Sequence, residues 1–364
     1  MTNKHEDAFD ENPLLEPKAI ASMDVQNVAR QYLTGILLCC IAALFQSLQN
    51  LTIKFVISNS FPVGELLFLR MIPHLLILIP VLKFGGTFFD CQDENMAVQF
   101  FGTRNIRFLL FLRGVFGFLS NILFFLSMMF LTLSDATALS YTSSIWTGIL
   151  GAFILKEFFN CAQIFGILLS VSGVFVLSRP SFLFGRGFEE SSVAHSIGVV
   201  LALASATTSC GNYIVSRKLL QQKVNPAVLS WYHGIVSLSG ASMWCIVLWK
   251  QNQLRFDMTA LSWVAIFISG ISALLGQLCY QVALRYVAAA VTSSLMNLAV
   301  FMSFFFDALI FHVPLYLTSI LGAAAILAST LMFALCSPKP KVSGSQTKTL
   351  LISPEQEEQV ESYP

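Results

Sequence analysis

Arg70 stands in the run Leu66-Leu67-Phe68-Leu69-Arg70-Met71-Ile72, a guanidinium about two turns inside an apolar helix. An ionisable group at such depth is costly unless it is paired or faces water, so it marks a functional position by default. Glu65 lies five residues earlier, about 140° around the helix, and is a poor same-face partner. Arg70 therefore serves either as one half of an ion pair with another helix or as a cation lining a cavity. Arg113 stands nearer the end of its own apolar run, within snorkelling reach of water. Lys54, at the end of the first run, reads as a snorkelling anchor. Asp135 opens a helix after Ser134, where an acid complements the macrodipole as a cap. Asp307, between Phe304-Phe305-Phe306 and Ala308-Leu309, has no such role and suits either a pairing with a neighbouring helix or proton coupling. His74 and His233 read as packed, hydrogen-bonded residues.

Uncharged polar residues are denser in these runs. Asn121, Tyr141, Asn212, Gln277, Tyr280 and Asn297 are the positions from which helices either hydrogen-bond one another or line a polar cavity. Trp146, deep in its helix, is either an aromatic wall for a small molecule or simple packing. Gly148-x-x-x-Ala152 and Ser272-x-x-x-Gly276 read as helix-packing seams. No H-E-x-x-H, P-loop or G-x-S-x-G motif is present, and five histidines are scattered over the chain. No catalytic residue, metal site or cofactor is therefore assigned. The eight cysteines form no C-x-x-C pair and read as small buried hydrophobes.

The elements that must position these residues follow from composition. Of 364 residues, 55% are hydrophobic and 11% charged, against about 25% charged in an ordinary soluble domain. Residues 1–32 hold nine of the charges and 336–364 hold seven. So few charges could not cover a soluble surface, which excludes a globular cytosolic enzyme and a nucleic-acid binder. The chain is read as an all-α polytopic membrane protein whose solvent is the lipid bilayer. At about 20 apolar residues per span, ten spans are expected near 33–57, 63–83, 108–131, 134–154, 160–178, 195–216, 226–249, 262–283, 286–311 and 314–335. With the N-terminus in the cytosol, fifteen Lys and Arg fall on the cytosolic side and five on the far side, so the positive-inside rule places both termini in the cytosol. The acidic first 32 residues contain no apolar core, which leaves the first span to act as the insertion signal.

The chain also repeats itself. Gly35 and Lys54 recur as Gly198 and Arg217, both offset by 163, and Ala136-Thr137-Ala138-Leu139-Ser140 is echoed by Ala289-Ala290-Val291-Thr292-Ser293. Five helices per half is an odd number, so the second half enters the membrane from the opposite side. The expected organisation is a disordered tail (1–32), a five-helix repeat (33–179), a loop (180–194), an inverted five-helix repeat (195–335) and a disordered tail (336–364). In such folds substrate sites lie between the repeats near the midplane.

Leu112-Arg113-Gly114-Val115-Phe116-Gly117 resembles the start of the third helix of the drug/metabolite transporter superfamily, built from EamA-type repeats. The run from Leu133 to Ser143, closed by Leu155-Lys156-Glu157, resembles its fourth helix. Arg179-Pro180-Ser181-Phe182-Leu183-Phe184-Gly185 is similar to the G-type branch of solute carrier family thirty-five. The second half departs from the pattern at Ile310-Phe311-His312, where the family often has a glutamate. The resemblance implies ten helices in two inverted halves around a cavity that opens alternately to each side.

Together these features imply a secondary transporter of a small polar metabolite. Arg70 and Arg113 suit an organic anion such as a carboxylate. Tyr286 to Pro338 contains no Lys or Arg to neutralise a diphosphate. Two other classes stay open: a non-transporting membrane partner or regulator, and an intramembrane lipid-modifying enzyme, which lacks a nucleophile–base pair. In the N-terminal tail, Asp10-Glu11-Asn12-Pro13-Leu14-Leu15 fits an acidic dileucine pattern, with Asp10, Leu14 and Leu15 offered to a sorting adaptor. That address implies endosomal or lysosomal membranes; without it, the plasma membrane or Golgi is expected. Nothing in the sequence specifies an oligomer.

Overall fold

Apolar runs in lipid must satisfy every backbone group within themselves, and helices do so. The computed structural model describes residues 17–58, 63–84, 101–127, 129–131, 136, 139–156, 159–178, 193–250, 259–310 and 317–335. Tyr32–Cys336 forms one unit; Met1–Gln31 with Ser337–Pro364 forms another, of which the described residues, 17–31, are helical. In chain order the helices are α1 (Pro17–Ser58), α2 (Val63–Phe84), α3 (Arg107–Ser127), α4 (Ser143–Leu150), α5 (Cys161–Ser178), α6 (Val193–Gln221), α7 (Pro226–Lys250), α8 (Ala260–Tyr286), α9 (Ala289–Leu295), α10 (Leu298–Ile310) and α11 (Leu317–Leu335). There is no strand among the described residues. α1, α2, α3, α6 and α8 contain segments long and apolar enough to cross a membrane, and α4, α5, α9–α10 and α11 supply shorter apolar helices. Exposed positions such as Leu37, Phe108, Phe153 and Leu331 are apolar, whereas Arg70, Arg113, His74 and Gln281 are buried. A multi-pass membrane protein has this distribution, with lipid outside and polar groups within.

Local chemistry sets the helix ends. Thr259 caps α8, its hydroxyl accepting from the Ser262 N–H at 3.3 Å. α4 passes into a single π turn, Gly151–Leu155, which ends at Lys156 in the left-handed region (φ 55°). Between α9 and α10 the helix breaks at Met296–Asn297. There Asn297 Nδ2 donates to Ser170 Oγ at 2.9 Å, and Ser170 Oγ donates to the Ser294 carbonyl at 3.1 Å. The freed backbone is thus held by polar side chains rather than left bare in an apolar surround.

Packing is paired across the halves. A Cβ on Gly35 (α1) would lie 2.6 Å from Val287, beside the end of α8, and one on Gly198 (α6) would lie 2.7 Å from Leu131, beside the end of α3. The offset of 163 between the two glycines thus corresponds to a repeated contact, α1 on α8 and α6 on α3. α2 packs on α7 and α8, while α7 packs on α2 and α3. The turn at Tyr141-Thr142 before α4 matches the break at Met296-Asn297 before α10, an offset of 155. This shifts the echo of Ala136 with Ala289 by two residues, because the breaks and not the small residues set the register.

Two expected features differ. The ninth expected span, 286–311, is two helices. Gly148-x-x-x-Ala152 is no tight seam: a Cβ on Gly148 meets only Ala290 at 3.8 Å and Ile167 at 3.9 Å, and Ala152 is exposed. The close approach lies instead between α5 and α11, at Gly173 and Gly322. The Ser272-x-x-x-Gly276 face is close-packed, with Phe45 of α1 3.2 Å from a Cβ on Gly276.

Candidate functional site

Among the described residues, the two largest fully buried side chains are arginines, Arg70 and Arg113. They meet opposite fates. Arg113 is saturated: Nη1 donates to the Leu229 carbonyl at 2.9 Å, Nη2 to Tyr280 Oη at 3.0 Å and Nε to Ser216 Oγ at 3.4 Å. The side-chain oxygens of Gln277 and Gln281, oriented as the network requires, also accept from this guanidinium. All these acceptors are neutral. Arg70 has the ring of Phe125 5.5 Å from its guanidinium carbon, while its Nε and Nη1 are buried without a hydrogen-bond partner.

Arg70 opens onto a cavity of about 170 Å³ between the two halves. α1 supplies Gln46 and Gln49, α2 Arg70 and His74, and α3 Ser120 and Asn121. From the second half come Ser209, Asn212 and Tyr213 of α6, His233 of α7, and Gln277 and Tyr280 of α8. The lining residues include no carboxylate. The His74 and His233 rings lie edge to face with centroids 6.3 Å apart, and Nδ1 of His233 lacks a partner. Gly117 makes room for this pair, since a Cβ there would sit 2.5 Å from His233 Nδ1. Tyr213 and Tyr280, also on the cavity wall, pack with ring centroids 5.7 Å apart and planes tilted by 52°. Hydroxyl contacts between α3 and α6 (Ser120 with Ser209, and Ser205 Oγ donating to the Ser120 carbonyl at 3.0 Å) fix the wall between the halves.

A buried guanidinium with no carboxylate among the described lining residues has the chemistry to receive an anion. An unpaired buried charge is costly, and a carboxylate meeting a guanidinium makes charge-assisted, often bidentate hydrogen bonds. The volume lies below the roughly 300–1,000 Å³ of ordinary ligand pockets, which limits the occupant to a small molecule.

Of the residues singled out in the sequence, Arg70, Asn121, Asn212, Gln277 and Tyr280 line the cavity. Arg113 lies behind its wall, holding Tyr280, and is fully buried rather than snorkelling. Tyr141 packs beside the α4 turn against the cluster that includes Val174 and Leu298, and Asn297 is used at the α9–α10 break. Trp146 is 44% exposed and does not line the cavity; its place in a helix shared with lipid gives it an outer face. The Asp307 backbone is in α10, but its side chain lies outside the described residues, as do Asp135, Asp10, Leu14 and Leu15. His74 and His233 stand on the cavity wall. Gln46 and Gln49 went unnoticed in the sequence, although polar amides three apart at mid-helix are the same signal that singled out Gln277. Six cysteines are unpaired among the described residues, with Cys39 and Cys210 buried and Cys161 exposed.

Comparison with known proteins gives a consistent result. The chain matches the EamA-like transporter family over residues 33–179 and again over 196–335. It is 27% identical over 265 residues to Solute carrier family 35 member G1 of Mus musculus, covering 72% of this chain and 68% of that protein. It is 24% identical to a probable transport protein of Saccharomyces cerevisiae over 85% of this chain and 91% of that one. Against the Pseudopaline exporter CntI of Pseudomonas aeruginosa it is 23% identical, over 71% and 81%. A solved crystal structure, 16% identical, superimposes with a TM-score of 0.67 over 83% of this chain and 98% of that one, which shows a shared fold.

Proposed function

The chain belongs to the EamA-like transporter family, and on that premise we propose that it carries a small organic anion, such as a carboxylate, by alternating access through the cavity between its repeats. It is a membrane transporter, not an enzyme, and its relatives are solute carriers and transport proteins. The observation that carries the anion reading is Arg70, buried at the cavity with two unpartnered nitrogens and no acid among the described residues lining it. A neutral substrate would leave that charge unmet. A diphosphate would need more cations than the single arginine at this cavity provides.

The carrier has ten spans in two inverted five-helix repeats, with both termini cytosolic. Helices stand at all ten expected segments, and the reciprocal contacts of Gly35 and Gly198 relate the halves. The test of function is uptake by purified protein in liposomes over a panel of organic anions, cations and neutral metabolites. Accumulation of anions alone is expected. A protein that moves none of the panel would be read as a regulator built on a carrier scaffold.

Sorting by Asp10, Leu14 and Leu15 to endosomal or lysosomal membranes belongs to the same proposal. Tags at either end should be stained only after permeabilisation, and Leu14→Ala/Leu15→Ala should move the protein to the plasma membrane. An unchanged distribution would remove the sorting signal.

A further inference from the structure

The two ends of the cavity are closed by different chemistry. Where α2, α6 and α8 finish and α3 and α7 begin, Leu78, Leu110, Leu219, Val228 and Leu284 form an apolar layer. Guanidiniums cross it. Arg113 of α3 holds the Leu229 carbonyl of α7, Ser216 of α6 and Tyr280 of α8. Arg217 of α6 donates to the Leu284 carbonyl, and Arg285 of α8 donates to the Val224 carbonyl at 3.1 Å. At the other end a second apolar layer includes Ile53, Leu66, Leu67, Phe125 and Ile266; Arg70 lies beside it, over the Phe125 ring, but its Nε and Nη1 hold no carbonyl across it.

The internal repeat shows that this difference is built into the chain. Gly114 of α3 admits the Tyr232 carbonyl of α7, 2.9 Å from where its Cβ would be, and Gly270 of α8 admits the Arg70 carbonyl of α2 at 2.5 Å. The two glycines are therefore matched positions. The residue before Gly114 is Arg113; the residue before Gly270 is Ser269, whose buried hydroxyl has no partner. One end holds a four-helix guanidinium knot where the other has a serine.

We propose that Arg113 is the latch of the α3/α7 end: its bonds to Ser216, Leu229 and Tyr280 must break for the cavity to open there. This rests on the carrier reading above and adds its regulation. The latch also senses cargo. Tyr280 and Gln277 line the cavity on one side and meet Arg113 on the other, so a ligand that draws on either loosens the same guanidinium. A leucine in place of Arg113 could fill the layer but could not couple it to the cavity contents. Breaking such a network costs more than breaking its bonds one at a time, because each freed partner is left buried. The other end lacks this arginine-to-carbonyl knot among the described residues.

The test is thiol alkylation in liposomes with a water-soluble maleimide, resolved by peptide mass spectrometry so that native cysteines do not interfere. Val228→Cys reports the latched end and Leu67→Cys the other; both positions are buried. Arg113→Gln removes the guanidinium and all its charge-assisted bonds, and should raise labelling at 228 by about tenfold or more, without raising it at 67. Tyr280→Phe, which removes one acceptor and leaves the arginine in place, should raise it severalfold; this arm decides if Arg113→Gln does not fold. Unchanged labelling at 228 in the folded variants, or an equal rise at both ends, overturns the latch. Labelling needs no substrate, so the two claims separate. Transport with no labelling shift removes the latch and leaves the carrier. A one-ended shift in a protein that moves no solute keeps the latch and removes the carrier.

Discussion

Arg70→Met is expected to lower anion uptake by about a hundredfold while the protein keeps or gains thermal stability. The first half of the expectation follows from losing the charge-assisted, bidentate contact to the substrate, at roughly 1.5–3 kcal/mol for each hydrogen bond to a charged group. The second follows from the site without its substrate, where the guanidinium is buried with Nε and Nη1 unpartnered and Phe125 beside it. Replacing an uncompensated buried charge by an apolar side chain of similar volume relieves desolvation. A residue that only held helices together would lose stability and transport at once. Uptake assays and thermal unfolding of the same purified variant check both halves. Uptake at the wild-type rate, or a large fall in melting temperature, would show that Arg70 is structural.

Gly322→Leu should be the most damaging single change to the fold. A Cβ on Gly322 would lie 2.7 Å from the Gly173 carbonyl and against the backbone of Leu177, and one on Gly173 would lie 3.0 Å from the Gly322 carbonyl. Backbone atoms cannot swing aside as a side chain can, so α5 and α11 must part. Overpacking typically costs about 1–3 kcal/mol, and separating a helix pair that meets along this seam puts the variant at or above the top of that range. Gly148→Ala is the contrast, since its new methyl finds only ordinary contacts with Ala290 and Ile167. It should stay within about 0.5 kcal/mol of the parent. Detergent thermal-stability measurements on the pair give the comparison. Equal melting temperatures would mean that the α5–α11 seam does not set the fold.

Several features were legible in the sequence. The apolar runs located the helical segments because a residue in lipid must satisfy its backbone locally, and the paired offset of Gly35 and Gly198 revealed a real repetition of contacts. Arg70 was legible for the same reason that it is costly. Less could be read where two roles share one residue type. Arg113 and Arg70 look alike in sequence, but only the fold shows that Leu229, Ser216 and Tyr280 converge on one while the Nε and Nη1 of the other stay unpartnered beside Phe125. Asn297 and Gln277 were equally polar candidates, yet a helix break claims the first and the cavity the second. Gly322 was invisible because small residues are common in membrane helices and only the partner, Gly173, gives one of them meaning. Trp146 was misplaced because a run buried in hydrocarbon does not declare which face meets lipid and which meets protein.

Accelerated exchange tests the central claim most directly. Liposomes holding the purified protein are preloaded with an unlabelled organic anion from the uptake panel, and entry of the same anion in labelled form is followed from outside. A carrier whose single cavity opens alternately to each side returns faster when loaded, so preloading should speed labelled uptake, and the Arg70→Met variant should show no acceleration. Uptake that preloading leaves unchanged, or that Arg70→Met supports at the parent rate, would contradict a cavity that binds the anion and carries it across.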